Sequence, residues 1–345
     1  MMKIFHLDAG RKYFGLSTIK GMIDVMSESG FTHLELYFSD NQGFRFGLPN
    51  MTVKTAYGSY DLSAALGDGY VEGPKTPSGG GWLTVPEMEE IVRYTREKGM
   101  ELIPLMNMPG HMGTILQKFP GLRYPGSHSS LNLNDPEAVE FALEILRMYV
   151  DYFASLGCKY FHFGADEFAN DLGGHDPDNL IMGLERIYEG GDMKQFVPFV
   201  NRAIAIVCER GLTPMIFNDG VCYHDDDTTY GAIDPRAIVC YWTKGWKGYN
   251  PASVSFLDSR GYSLVNTEDQ LYCVMGWDGW DTKAEIASKF DPHLFCRETR
   301  VEKPAGAMLC LWCDQGGLDG QDSGKAVAAR MEPIMRAFGE TMEKF

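Results

Sequence analysis

The chain has 345 residues, 44% of them apolar, and a formal net charge of −16. That length and apolar share suit one large α/β barrel or two ordinary domains. The acidic balance argues against nonspecific binding to nucleic acid or to an anionic membrane, and no stretch of about 18 apolar residues is present to span one.

The chain opens on a strand, "KIFHLD" (3–8), preceded by no apolar signal core, so a cytoplasmic location is expected. A helix is predicted over 17–29, with Ser17 as its cap and Ile19, Met22, Ile23 and Met26 on one face. "FTHLELYF" (31–38) is the second strand. A Gly-rich polar stretch at 39–83 is too long for a simple connection and reads as a functional excursion, with "PSGGGW" (77–82) as a candidate lid. Thr84 and Glu87 form a capping box for a helix at 85–98. "MELIPLM" (100–106) is the third strand, followed by a loop to 134. Asp135 and Pro136 then open a helix to about 156 that turns Val139, Leu143, Leu146, Val150 and Phe153 inward.

"CKYFHFG" (158–164) is the fourth strand, and a helix at 193–210 leads to the fifth, "LTPMIFN" (212–218). No convincing helix separates it from "AIVCYW" (237–242), so the fifth helix is expected to be missing or reduced. "YSLVN" (262–266) and "AGAMLCLW" (305–312) complete eight strands, and the tail from 323 reads as a closing helix. Strands alternating with helical crossovers give a (β/α)8 TIM barrel, one catalytic domain over 1–345.

In such barrels active sites form at the C-terminal strand ends. The residues found there are Asp8 and Arg11, Asp40, Asn107 and His111, Asp166 and Glu167, Asn218 and Asp219, Trp242, Tyr272 a little beyond strand seven, and Trp312 with Asp314. Polar and aromatic side chains collect at one rim, which argues for an enzyme.

"FHFGADEFAND" (161–171) places Asp166 and Glu167 side by side where an apolar strand ends. Neighbouring strand residues face opposite ways, so local twist or a bulge has to turn both toward the rim. A carboxylic acid can protonate a departing glycosidic oxygen if its pKa is raised, and a neighbouring carboxylate raises it. Glycosidases with two protein carboxylates flanking the bond need them roughly 5 Å or more apart. Adjacent acids therefore suggest that the substrate brings its own nucleophile, the carbonyl of a 2-acetamido group, with the aspartate orienting that group.

The chain resembles glycoside hydrolase family 20, the β-N-acetylhexosaminidases. "HFGADE" (162–167) matches its H-x-G-x-D-E motif, "DAGRKYF" (8–14) its D-x-x-R-[HK]-[FY]-[FY] segment, "LELYFSDNQGFR" (34–45) its L-H-L-x-D-D-Q-G-[WF]-R segment, and "MNMPGHMGTIL" (106–116) its D-M-P-G-H loop. The resemblance implies Glu167 as general acid and then base, Asp166 on the acetamido N–H, and Tyr272 on the acetamido oxygen. It implies Arg11 on the 3- and 4-hydroxyls, Asp314 on the 4- and 6-hydroxyls, and Trp242 and Trp312 as walls of the acetamido pocket. Asp40 and His111 would form a charged support close to Glu167.

Four positions depart from the family pattern: Asn107 for Asp, Asn218 before Asp219 where Trp precedes an acid, Tyr-Cys-Val at 272–274 for Tyr-Leu-Asp, and Asp314 for Glu. They leave GlcNAc against GalNAc preference and linkage open. The implied substrate is an oligosaccharide or glycoconjugate ending in a 2-acetamido sugar, processed with no metal and no cofactor; nucleic acid and membrane are not expected partners, and a homodimer is an open option. A disaccharide-releasing lacto-N-biosidase or a catalytically silent sugar-binding barrel are the rivals.

Other residues have plainer readings. His162 and His6 read as core histidines below the rim, and Asp225, Asp226 and Asp227 as a solvated acidic loop. Trp277 and Trp280 either cover the leaving-group side or pack their own loop. Eight scattered cysteines, most inside apolar runs, read as buried thiols. Cys310 and Cys313 form a lone C-x-x-C without the further ligands of a zinc site.

Overall fold

The computed structural model describes residues 1–69, 80–173, 183–277, 279–314 and 324–345. Eight parallel strands form the frame: β1 (Met2–Asp8), β2 (His33–Ser39), β3 (Glu101–Met108), β4 (Tyr160–Gly164), β5 (Thr213–Phe217), β6 (Ile238–Tyr241), β7 (Ser263–Asn266) and β8 (Gly306–Trp312). Each pairs with the next in chain order, and β8 returns to β1 with Met2 opposite Gly306, so the sheet closes. Period-2 alternation sorts the side chains. Phe5 and Leu7 belong to the outer cluster under the helices, whereas Ile4 joins Tyr37, Ile103, Leu105, Met215 and Met308 inside the ring. Fully burying such side chains contributes roughly 1.5–3 kcal/mol each.

The helices include α1 (Leu16–Glu28), α2 (Val85–Glu97), α3 (Pro136–Ser155), α4 (Met193–Glu209), α5 (Val254–Ser259), α6 (Trp280–Ser288) and α7 (Gly324–Met342), with short helical turns at Gly113–Leu116 and Gly183–Glu189 besides. In α1 the face Ile19, Met22, Ile23 and Met26 is buried, but Gly15 is the N-cap and Ser17 lies inside the first turn. Helix α2 carries the Thr84–Glu87 capping box. In α3 the Asp135 side chain accepts from the Glu137 N–H and Pro136 takes the first turn; Val139 is only half-buried. Between β5 and β6 the chain makes a 3-10 turn, Tyr223–Asp225, and no α-helix.

Two stretches are more ordered than their composition suggests. In the 39–83 excursion Gly43–Phe44 pairs with Gly67–Asp68, and Thr52–Lys54 with Ser59–Asp61. Fully buried Arg45 ties it together: Nε donates to Gly10 O (3.0 Å), Nη1 to Gly81 O (3.0 Å), and Nη2 meets Asp68 (2.7 Å). Half of the candidate lid, Pro77–Gly79, lies outside the described residues. Strand seven is built in two pieces. Val265 and Asn266 pair with the foot of β8, the chain loops out over 267–271, and Tyr272–Val274 pairs with its upper half, Tyr272 opposite Cys310. Tyr272 thus stands in the barrel wall, not beyond it.

Candidate active site

Backbone conformation explains how two neighbouring carboxylates reach one place. Strand β4 ends at Gly164, and Gly164, Ala165 and Glu167 have φ of +71°, +62° and +46°. Left-handed residues on both sides of Asp166 replace the strand's alternation, so both acids turn into one cavity. The β3–β4 register also shifts between Leu105 and Met108, the local irregularity that re-aims a strand end. A non-glycine residue in the left-handed region costs roughly 1–2 kcal/mol, so the surroundings must hold it. Two glycines allow that. A Cβ on Gly164 would lie 2.0 Å from Asn107 Oδ1, and one on Gly110 would lie 2.7 Å from Asp166 O.

His111, itself at φ +52°, stands at the centre of the charges. Its Nδ1 is 3.1 Å from Asp40 Oδ2; its Nε2 is 3.2 Å from Glu167 Oε2 and 3.5 Å from Asp166 Oδ2. Burial opposes the imidazolium, but the carboxylates around it prevail and hold its pKa well above the ordinary histidine value. Both ring nitrogens can then donate. Asp40 is fixed behind it by the Tyr37 hydroxyl (2.6 Å) and Arg11 (3.2 Å). Burial raises the Asp40 carboxyl, but Arg11 and His111 bring it below its usual range.

The two adjacent acids split. Burial pushes Asp166 up, aided by the Glu167 charge and opposed by His111 and by the Asn107 amide, which donates at 2.7 Å. Burial pushes Glu167 the same way, but the bond and charge of His111 outweigh it and leave its pKa lowered. The sequence expectation that adjacency raises the pKa of the acid therefore applies to Asp166. Glu167, which directly faces the imidazolium, goes the other way.

The cavity is about 380 Å³. Arg11, His111, Asp166 and Glu167 line one part of it, and Trp242, Tyr272 and Trp312 supply aromatic walls. Arg11 is held by Asp8 (3.0 Å) and approaches Asp314 (4.0 Å), which also lines the cavity and is exposed. Trp312 crosses Tyr272 edge-on at 5.6 Å, and the Arg11 guanidinium lies 5.5 Å from its ring. Trp277, 62% exposed, sits at the mouth. Trp280 touches the cavity but is fixed behind the rim, its Nε1 donating to Val274 O (2.9 Å) with Arg330 over its ring.

Asn218 and Asp219, expected at the active-site rim, and Asp40, expected there as charged support, do not line the cavity. Asn218, fully buried, donates to Thr243 O (2.7 Å) and accepts from the Trp242 N–H (2.8 Å). Asp219, also fully buried, accepts from the Glu167 N–H (2.6 Å), the Tyr249 hydroxyl (2.7 Å) and Trp242 Nε1 (3.0 Å). Asp40 is enclosed by Tyr37, Arg11 and His111. None lines the cavity; all three stand behind its wall.

Phe217, one residue before Asn218, faces the cavity instead, so the end of strand five still presents an aromatic. Strand alternation could have indicated it. Asp269, Val274 and Lys283 also line the cavity. They come from the split seventh strand and from α6, which one-strand-per-unit reasoning does not anticipate. Tyr37 was hidden as an ordinary strand aromatic, and Tyr249 lies on a tight turn, bridged to Trp246, with no pattern to mark it.

The remaining polar groups have local duties. Asp225 accepts from the Ser253 N–H (2.6 Å), Asp226 from the N–H groups of Thr228 and Thr229, and Asp227 pairs with Arg260. His6 and His162 each place Nδ1 2.7 Å from buried Glu35. All eight cysteines are free thiols. Among the described residues no three His, Cys, Asp or Glu side chains converge as a metal site would require.

The sequence model described as glycosyl hydrolase family 20, catalytic domain, matches residues 3–302. The chain is similar to a lacto-N-biosidase of Bifidobacterium bifidum, 24% identical over 253 residues, covering 68% of this chain and 21% of that protein. It is equally similar to a beta-hexosaminidase of Akkermansia muciniphila, 24% identical over 246 residues, with 67% and 48% covered. The chain thus spans less than half the length of either relative. Among solved structures, the tandem GH20 catalytic modules in the pneumococcal exo-beta-D-N-acetylglucosaminidase StrH superpose with a TM-score of 0.84 at 30% identity, over 99% of this chain and 83% of that one. Dispersin B superposes at 0.74 with 20% identity over 99% of both chains, a likeness of fold.

Proposed function

Because this chain belongs to glycosyl hydrolase family 20, we propose that it is an exo-acting β-N-acetylhexosaminidase that removes terminal β-linked GlcNAc or GalNAc with retention. The observation that carries the reading is the pair Asp166 and Glu167 turned into one cavity beside Tyr272 and an imidazolium.

Asp166 accepts from the acetamido N–H and Tyr272 donates to its carbonyl oxygen. That oxygen attacks the anomeric carbon while Glu167 protonates the departing glycosidic oxygen. Glu167 then takes a proton from water, and the water opens the cyclised acetamido ring to give the β-product. In the free enzyme burial raises Asp166 and His111 lowers Glu167, so the proton of the acid rests toward the imidazole. The proton used in the first step is shared between His111 Nε2 and Glu167, 3.2 Å apart. A sugar that excludes water disfavours the charge-separated form, so the proton moves onto the glutamate as the site fills.

The test is hydrolysis of aryl β-GlcNAc and β-GalNAc. Wild type is expected to cleave at least one and Glu167→Gln neither at a comparable rate; an inert wild type, or an undiminished variant, refutes the proposal. One second reading has support. The B. bifidum relative is a lacto-N-biosidase, and release of a disaccharide from an oligosaccharide would favour that reaction here. A cytoplasmic location and a homodimer belong to the same proposal; fractionation and sedimentation test them.

A further inference from the structure

The hydrolase reading above asks why Glu167 stands where it does, and the structure holds a group that this reading does not use. We propose that Asp219 is a positioning residue: its carboxylate fixes the general acid to the aromatic wall, so that the acid stands at the leaving oxygen.

Glu167 needs such a support. Its φ of +46° is disfavoured for a side-chain-bearing residue, and the β4 ladder has already ended at Gly164. Its N–H therefore has no strand partner. A left-handed residue of this kind persists only where its neighbours over-determine it. Asp219 Oδ2 accepts that N–H at 2.6 Å, a charge-assisted bond stronger than one to a neutral oxygen. From the other side the 108–111 segment presses close to the backbone of 166–167, which is why position 110 has no room for a Cβ.

The same carboxylate reaches two more elements. Oδ1 accepts from Trp242 Nε1 at 3.0 Å, and Oδ2 also accepts from the Tyr249 hydroxyl at 2.7 Å. Trp242 lines the cavity, and Tyr249 closes a tight hairpin turn with its bridge partner Trp246, their rings 4.8 Å apart. One buried side chain thus ties together the acid, a pocket wall and the hairpin beside it. With no exposed surface it cannot meet the substrate. Its effect must pass through Glu167 and Trp242.

The carboxylate is kept at some cost. Burial, with the nearby Asp166 charge, pushes its pKa up to about 7, and the three donors offset only part of that. An asparagine would be cheaper to bury, but it has one acceptor oxygen for three donors.

The diagnostic follows from the role. Misplacing an acid harms the step in which it gives a proton and spares a leaving group that departs as a stable anion. We therefore expect Asp219→Asn to lower kcat/KM by about a hundredfold on the phenyl β-GlcNAc glycoside and by less than about threefold on the 2,4-dinitrophenyl one. Tyr249→Phe, which removes one donor only, should lose about threefold to tenfold with the same dependence on leaving group. A general packing role predicts equal losses along the series, and that result overturns the proposal.

The crystal structure of Asp219→Asn is a measure independent of turnover. Glu167 should leave its left-handed conformation and its carboxyl should move; an unmoved Glu167 overturns the proposal. A wild type that cleaves no member of the series refutes the hydrolase reading instead, and the crystal structure then decides the positioning role alone. If Asp219→Asn fails to fold, Tyr249→Phe carries both measurements.

Discussion

Two clusters of histidine and carboxylate sit one above the other in this barrel, and they differ in everything except residue type. The lower one joins His6 on β1, Glu35 on β2 and His162 on β4. His6 and Glu35 are register partners in the β1–β2 ladder, and all three side chains are fully buried. The upper one joins Asp40, His111, Asp166 and Glu167, all on loops past the strand ends, three of them in or flanked by left-handed backbone. Between the two lie the pocket aromatics: the His6 ring is 4.2 Å from Trp312 and the His162 ring 4.5 Å from Phe217. A histidine–carboxylate pair is therefore not in itself a sign of chemistry. What marks the upper cluster is strained backbone, an open cavity and more charges than can be neutralised at once.

The comparison is broken most easily at the top. Glu167→Gln keeps the shape and removes the transferable proton, so kcat/KM on an aryl β-GlcNAc glycoside should fall about 10³-fold. Asp166→Ala should fall about 10²-fold and also lose affinity for an oxazoline-mimicking thiazoline, measured by inhibition. His111→Asn should cost about tenfold near neutrality and should change the pH profile. In wild type the proton shared by Glu167 and His111 is lost only at the raised imidazole value, so the alkaline limb of kcat/KM lies above ordinary histidine titration. In the variant, Glu167 must hold that proton by itself, and the limb should move to lower pH. An unmoved limb would mean that His111 is only scaffolding, like its counterparts below.

The sequence made the lower cluster easier to read than the upper one. His162 alternates inside a strand, so its burial follows from period 2, as do the eight strands, and the helix faces follow from period 3.6. The rim motifs were also visible, because polar residues after each strand fall at one end of a barrel. What strand logic could not supply was direction. Asn218 and Asp219 stand at the right strand end yet face the wall, because the ladder stops at Phe217 and each later residue follows its own hydrogen bonds. Tyr272 was found by motif and not by place, since the loop at 267–271 divides a strand that periodicity treats as ended. Tyr249 acts through a single hydroxyl brought in by a tight turn, and nothing in the local sequence marks such a residue.

The smallest effect on rate should come from the lower cluster, and there the comparison is sharpened. Glu35 accepts from two Nδ1–H groups at 2.7 Å. Burial would raise its pKa, but the charges and bonds of His162 and His6 prevail and hold it down to about 2. A carboxyl whose folded value lies below its unfolded one stabilises the fold fully above the unfolded value, about 4.3 for glutamate, and that contribution is lost as pH falls toward the folded value. Glu35→Gln removes the charge and leaves one oxygen for two donors, so urea unfolding at pH 7 should show a loss of about 3 kcal/mol. The gap between wild type and variant should then narrow as pH falls from about 4.3 toward 2. Folded Glu35→Gln should keep kcat/KM within about threefold of wild type, since only the undersides of Trp312 and Phe217 feel the change. If the rate instead falls as far as in Asp166→Ala while urea stability holds, the floor belongs to the catalytic machinery and the contrast between the two clusters is lost.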